Sequence, residues 1–385
     1  MTNQFDELLA EGVASGAAPG VVAATVDREG MTYLGSAGER SLGSGVEMTT
    51  DTVGAIFSMT KAITGAAAMQ LVEQGRIDLD APAGTYCEEL AKPAMVLDGF
   101  DGDGQPITRP AVGDVTMRNL LTHTSGYVYT IWNADLGRWV EVTGAEDLFN
   151  FTIASLETPL AFDPGTRWEY GTGIDWAGLV VERVAGSTLG EYMKEHIFEP
   201  LGMHETAFAH TDDMLSRASA IHARLPDNSL LPIELPPAEA AEFESGGGGL
   251  HSTMSDFARF MRMILNDGEL DGTRVLAAET VSQMVTNQMG DHRVTMLPSA
   301  IPEFSNDAEL FPDVAKSWGL TFQINEEAAS TGCPAGTLSW AGLANTYFWI
   351  DRTNGIAGTY MSQILPFADK GSVDLFYDFQ AAAYV

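Results

Sequence analysis

The stretch Phe57-Ser58-Met59-Thr60-Lys61 stands at the front of an apolar segment that runs to about Gln74. Ser58 and Lys61 are three positions apart, so on a helix they share one face, with Cβ atoms roughly 5–6 Å from each other. A serine with a lysine one turn further on is one way to build an activated nucleophile without a histidine. From Ala62 to Val72 the residues are mostly Ala, Ile, Met, Leu and Val. A helix that is apolar nearly all round is packed on several sides. Lys61 then emerges from a dry core, where desolvation favours its neutral, basic form. Ser-x-x-Lys is a short pattern, and the plainer reading is a surface lysine on an ordinary helix. Against that, the chain has only five lysines, and Lys61 alone has a serine three residues before it.

The rest of the composition bounds the problem without naming a reaction. A chain of 385 residues can bury a large core, as two structural units. Its 53 acidic against 20 basic residues give a net charge of −33, which argues against nucleic acid and anionic membranes as partners. The charge reads as a solvated surface that keeps the protein soluble. Cys87 and Cys333 are in no metal-like or redox spacing and read as free thiols. The first residues lack a basic and then apolar leader, and no apolar run is long enough to span a membrane. These features point to a cytoplasmic protein, either a monomer or a homo-oligomer, without a cofactor.

Along the chain, Phe5–Ala14 reads as a short helix. Val21–Asp27 and Met31–Gly35 flank Arg28-Glu29-Gly30 as a hairpin. The apolar helix closes at Gly75, a natural C′ residue. Residues 98–114 read as a loop, Thr116–Thr122 as a helix ending at His123-Thr124-Ser125-Gly126, and Leu148–Leu156, Ile174–Val184 and Gly190–Phe198 as further helices. Residues 224–245 read as a long loop. The run Gly246–Gly249 is either a hinge or a tight backbone crossing, and Thr253 with Asp256 caps a helix through Leu265. Strands return at Gly319–Ile324, Thr346–Ile350 and Ile356–Met361, with a closing helix over Ser372–Ala383. Strands at both ends with helices between them predict one antiparallel sheet built from both termini: residues 1–80 and 245–385 as an α/β unit, 81–244 as a mainly helical unit, and a cleft between them.

A serine nucleophile needs a base, an oxyanion site and a proton donor for the leaving group. No serine here has glycine at both −2 and +2, which removes the nucleophile elbow of α/β-hydrolases. His123 reads as a structural or rim residue, and His204 and His210 lack metal-ligand spacing, so no metal site is expected. Pro164-Gly165-Thr166-Arg167-Trp168-Glu169-Tyr170-Gly171-Thr172 is an aromatic turn leading into a helix that Thr172 and Asp175 can cap. The helix N-terminus favours a phenolate at Tyr170, and a lysine ammonium nearby would favour it further; standing alone, the segment reads as a packing tyrosine in a loop.

Taken together, Ser58-Met59-Thr60-Lys61, His123-Thr124-Ser125-Gly126, Pro164–Tyr170, Gly246–Gly249 and Ser339-Trp340-Ala341-Gly342 resemble the class C β-lactamase-like superfamily of serine hydrolases. In order and spacing they are most similar to its family VIII carboxylesterase branch, over about residues 5–365. The resemblance implies an α+β serine β-lactamase-like fold, with Ser58 as the acylated nucleophile and Lys61 acting with Tyr170 as proton relay. It also implies an oxyanion hole made by the backbone N–H groups of Ser58 and Leu343. Two departures bear on the substrate. Trp340-Ala341-Gly342 stands where β-lactamases carry Lys-Thr-Gly on the edge strand, so the cation that holds a substrate carboxylate is missing. Thr172 stands in place of the asparagine of Tyr-x-Asn. Both favour neutral esters over β-lactams.

The expected activity is hydrolysis of short-to-medium acyl esters. Trp340, Gly342, Thr172, Tyr127, Tyr129 and Trp132 are the expected substrate-binding residues. The alternatives on the same acyl-enzyme are β-lactam or D-amino-acid peptide hydrolysis and acyl transfer, and a third reading is a non-catalytic penicillin-binding-like module. Whether Lys61 or a Tyr170 phenolate takes the serine proton stays open in the sequence.

Overall fold

The computed structural model describes residues 4–146, 148–235 and 241–385. Its centre is a seven-stranded antiparallel sheet: β1 Gly20–Asp27, β2 Met31–Gly38, β3 Lys316–Trp318, β4 Gln323–Asn325, β5 Leu338–Gly342, β6 Thr346–Asp351 and β7 Ile356–Met361. The spatial order is β3-β4-β5-β6-β7-β1-β2. Pairing of Val22 with Met361 joins the N-terminal hairpin to the last strand, so the sheet is indeed assembled from both ends of the chain. Helices α1 (Gln4–Ala14) and α5 (Lys370–Ala382) cover one face, and α4 (Met254–Leu265) the other.

The sequence of β6 explains this layering. Successive strand residues point to opposite faces, and here Tyr347 and Trp349 meet Phe376 of α5 while Phe348 meets Phe257 of α4. With both faces covered, the strand is apolar at nearly every position instead of alternating. Helix α2 (Thr60–Glu73) follows a 3₁₀ turn at Phe57–Met59, and every residue from Thr60 to Leu71 is buried. It packs against α3 (Gly173–Ala185) and ends at Gly75, whose φ of +68° is the left-handed conformation that stops a helix.

Several local expectations change. Residues 98–114 are not all loop: Met95–Phe100 and Pro106–Pro110 pair as a hairpin. Of the strand expected over Gly319–Ile324 only Gln323 and Ile324 are extended, at the start of β4; the residues before them form the turn from β3, with Thr321 at φ +80°. The interval 224–245 begins with a hairpin of Ile221–Arg224 and Leu230–Ile233, and its residues 236–240 lie outside the described residues. Leu148–Leu156 is two short turns broken at Phe151, whose φ is +52°. Gly190–Phe198 is a short helix running into a π turn. Strand β5 is interior, because β3 and β4 extend the sheet beyond it.

The Gly246–Gly249 run is a tight crossing and not a hinge. A Cβ on Gly246 would lie 3.0 Å from both the Ile174 carbonyl and the Thr64 methyl. A side chain at Gly246 would push these neighbours apart, and the glycine passage between α2 and α3 brings the Gly247 carbonyl to Lys61.

Candidate active site

Ser58 lies in the 3₁₀ turn before α2, directly after Phe57, whose φ of +42° is uncommon for a bulky residue. Such a conformation costs on the order of 1–3 kcal/mol and persists only where the surroundings enforce it. Here Ile56 N–H donates to Leu250 O (3.0 Å), and Met59 N–H donates to Ile56 O (3.1 Å). Gly342, at the end of β5, has no side chain to hold the strand away from the Ile56 carbonyl. The result is that Ser58 and Leu343 line the same cavity.

Lys61 is fully buried one turn along α2. Its Nζ lies 3.1 Å from Ser58 Oγ, 3.0 Å from the Tyr129 hydroxyl and 2.6 Å from the Gly247 carbonyl oxygen. Burial brings its pKa down to about 7, and the Asp175 carboxylate acts the other way. The lysine is therefore substantially neutral at physiological pH, as a base must be. Asp175, on the first turn of α3, is itself buried. It accepts hydrogen bonds from Ser245 Oγ (2.5 Å), Gly247 N–H (3.0 Å) and the Tyr129 hydroxyl (3.2 Å).

Tyr170 approaches Ser58 from the other side. Burial raises its pKa, while hydrogen bonding to Ser58 and to Trp340 opposes that rise, so the group is a phenol and not the phenolate that the helix dipole alone suggests. The Trp340 indole N–H donates to the Tyr170 hydroxyl at 3.1 Å. Lys61 sits over the Tyr170 ring, 4.7 Å from its centre, and of the two tyrosines it is Tyr129 that it hydrogen-bonds. His123 is buried against Tyr170 and Trp318, with ring centres 4.6 and 4.9 Å away. Its Nδ1 accepts from Gly171 N–H at 3.3 Å, and burial holds its pKa well below the usual histidine range, so it is a neutral structural residue and not part of a rim.

The cavity that opens from Ser58 has a volume of about 810 Å³. Trp132, Phe149, Phe151, Phe304 and Leu235 form much of its wall, and among the described lining residues Glu146 alone carries a charge. Trp132 lines it with its indole N–H donating to Ser305 Oγ at 2.9 Å. Tyr129 reaches the cavity too, but its hydroxyl belongs to the lysine. The other expected substrate contacts fall elsewhere. Trp340 is a buried partner of Tyr170 and not a cavity wall. Tyr127 packs on Trp176, with ring centres 5.7 Å apart, away from the lining. Gly342 acts through close backbone approach.

Thr172 neither lines the cavity nor caps α3. Its backbone (φ −77°, ψ 6°) departs from the extended form of an N-cap, and its Oγ1 is buried with no hydrogen-bond partner among the described residues. Sequence reasoning missed Asp175, Ser245 and the Gly247 carbonyl as the lysine's surroundings. The one available signal was a carboxylate amid the apolar run Ile174–Val181. Among the described residues no cluster of His, Cys, Asp or Glu could hold a metal ion, and no helix is long and apolar enough to cross a membrane.

The Beta-lactamase family model matches residues 5–383. The chain belongs to the Beta-lactamase family. Within this family of serine hydrolases it is 32% identical to a lovastatin esterase of Penicillium rubens, over 99% of this chain and 98% of the relative. It is 30% identical to a monacolin J acid methylbutanoyltransferase of Aspergillus terreus, over 87% of this chain and 82% of the relative. The structure of the LovD6 mutant of simvastatin synthase from Aspergillus terreus superposes with a TM-score of 0.85 at 29% identity, covering 99% of this chain and 96% of that one. The Beta-lactamase family fold thus accounts for the whole described chain, including the sheet drawn from both termini.

Proposed function

We propose that the protein is a serine carboxylesterase of the family VIII type, acting on neutral, hydrophobic esters through an acyl-enzyme on Ser58. The observation that carries this reading is the 3.1 Å contact between Ser58 and a buried lysine whose pKa is about 7, at the floor of an aromatic cavity. Neutral Lys61 takes the Ser58 proton as Oγ forms its bond to the ester carbonyl carbon. The backbone N–H groups of Ser58 and Leu343 hold the oxyanion, an arrangement worth on the order of 3 kcal/mol per donor. As the tetrahedral adduct collapses, the C–O bond to the alcohol breaks, and the Tyr170 phenol protonates the leaving alkoxide. The water that takes the alcohol's place carries the Lys61 proton to the Tyr170 phenolate, and water, then deprotonated by Lys61 as Ser58 was, attacks the acyl carbon, releases the acid and frees the serine.

The charge distribution supports a neutral substrate. Among the described residues no cation lines the cavity, and an indole committed to Tyr170 stands where the resemblance would place the ammonium that holds a carboxylate. An ester bearing a carboxylate forgoes a charge-assisted bond of about 1.5–3 kcal/mol and faces Glu146 instead. Its kcat/KM is expected to be about 10- to 100-fold below that of the matched uncharged ester. Equal rates for the two would count against the reading.

The pH dependence follows from Lys61. Protonation below a pKa of about 7 removes its lone pair, so kcat/KM for p-nitrophenyl butyrate should fall about tenfold per pH unit on the acid side. A flat profile from pH 5 to 8 would exclude the lysine as base.

Acyl transfer to an alcohol is the second reading. It is favoured by the size and apolar character of the cavity, which lies at the upper end for drug-sized ligands and can hold a bulky acceptor beside the acyl-enzyme. The acyltransferase relatives agree with it. Product analysis with an added hydrophobic alcohol separates the two, since transfer gives the new ester at the expense of the acid.

A further inference from the structure

The contacts of Lys61 over-determine where its hydrogens go. A neutral amine has two N–H bonds and one lone pair, and Nζ has three polar neighbours. The Gly247 carbonyl can only accept, so it takes one N–H. The Tyr129 hydroxyl has a single proton, and the Asp175 carboxylate, an acceptor only, takes it at 3.2 Å. That hydroxyl must therefore accept from Lys61, which uses the second N–H. What remains, pointing at Ser58, is the lone pair. Both constraints lead back to the same carboxylate, because Asp175 also holds Gly247 through its N–H and fastens the neighbouring Ser245 hydroxyl.

We propose that Asp175 is the positioning residue for the base: by fixing Gly247 and Tyr129 as the two acceptors of the Lys61 amine, it leaves the amine lone pair directed at Ser58. This rests on the reading of Ser58 as nucleophile and Lys61 as base. Among the described residues, the titratable groups that face Lys61 are Asp175 from α3, Tyr129 and His123 from the segment before residue 134, and Tyr170 from the turn before α3. Of these, Asp175 supplies the negative charge, since burial keeps both tyrosines and the histidine neutral.

Asp175→Asn makes the sharp test. The amide oxygen can still accept from Gly247 and Ser245, while its NH₂ faces Tyr129 and donates to it. The Tyr129 proton is then turned toward Lys61 and occupies the lone pair. The readout is phosphonylation of Ser58 by a fluorophosphonate, in which the Oγ–P bond forms, the P–F bond breaks, fluoride leaves and the serine proton passes to Lys61. It needs no assumption about the ester substrate.

Asp175→Asn is expected to label about 100-fold more slowly than wild type at pH 7.5, the scale of a misdirected catalytic group. Its acid limb should lie at lower pH, because a negative charge beside the ammonium has been removed. Adding Tyr129→Phe removes the misdirected hydroxyl, so the double variant should label about tenfold faster than Asp175→Asn, a coupling that independent structural roles do not produce. Tyr129→Phe alone, with Asp175 intact, should slow labelling about tenfold, and it stands as the test should Asp175→Asn not fold. Wild-type rates in Asp175→Asn, additive losses in the double variant, or a wild-type rate in Tyr129→Phe would overturn the role of Asp175. Absence of Ser58 labelling in the wild type would overturn the nucleophile itself.

Discussion

Ser58→Ala is expected to reduce hydrolysis of p-nitrophenyl butyrate by on the order of 10⁵–10⁶, the scale seen when a serine nucleophile is removed from a machinery that works as a unit. The fold should survive the change. The turn that presents Ser58 is held by Ile56, Met59 and the glycine at 342, none of which depends on the Ser58 hydroxyl. Phe57 keeps its φ of +42° in the variant, so the thermal midpoint should be unchanged or slightly higher. Retained turnover with a native melting curve would mean that ester hydrolysis happens elsewhere on the protein.

The second large effect is expected at Lys61. Lys61→Met keeps a long unbranched side chain in the apolar surroundings of α2 but removes the amine, and kcat should fall about 10³–10⁴-fold, the upper range for a general base. Lys61→Arg sharpens the point. A guanidinium cannot lose its proton in a protein, so it supplies positive charge without basicity. If the lysine acts as base, Arg is as poor as Met, and both lose the acid limb near pH 7. If its charge mattered instead, Arg would recover activity. Neither variant should alter the alkaline side, because the Tyr170 phenol titrates above the ordinary tyrosine range owing to its burial.

What could be read from the sequence follows the range of the interactions involved. Ser58 and Lys61 are separated by one helical turn, so their juxtaposition is a local property of Ser-x-x-Lys in an apolar helix. The sheet strands β1, β2, β6 and β7 carry their own turn and β-branched signals. Tyr170 was reachable only through resemblance, since nothing in an isolated aromatic turn says that it faces a serine more than a hundred residues away in the chain. Tyr129 was read as a wall because the contact that defines it crosses 68 positions.

Asp175 was read as half of a helix cap. A buried carboxylate at a helix start has that local explanation, and only the backbone of Thr172 rules it out. Trp340 was read by what it replaces, a substrate-binding cation, whereas its N–H is turned inward to Tyr170. The failed expectations of loop and strand at 98–114 and 319–324 have a different cause. At 319–324 the flanking strands are three residues each, too short to show an alternating pattern, and at 98–114 the hairpin strands carry Asp, Gly and two Pro and run into a Gly/Asp-rich turn.

The central claim is that Ser58 carries the acyl group between two half-reactions. The direct measurement is to quench the protein with acid during turnover of an activated ester, then map the modified peptide by mass spectrometry. The account predicts one added acyl mass on the peptide containing Ser58, formed in a burst and absent from Ser58→Ala. Steady turnover with no adduct on that peptide, or an adduct on another residue, would contradict it.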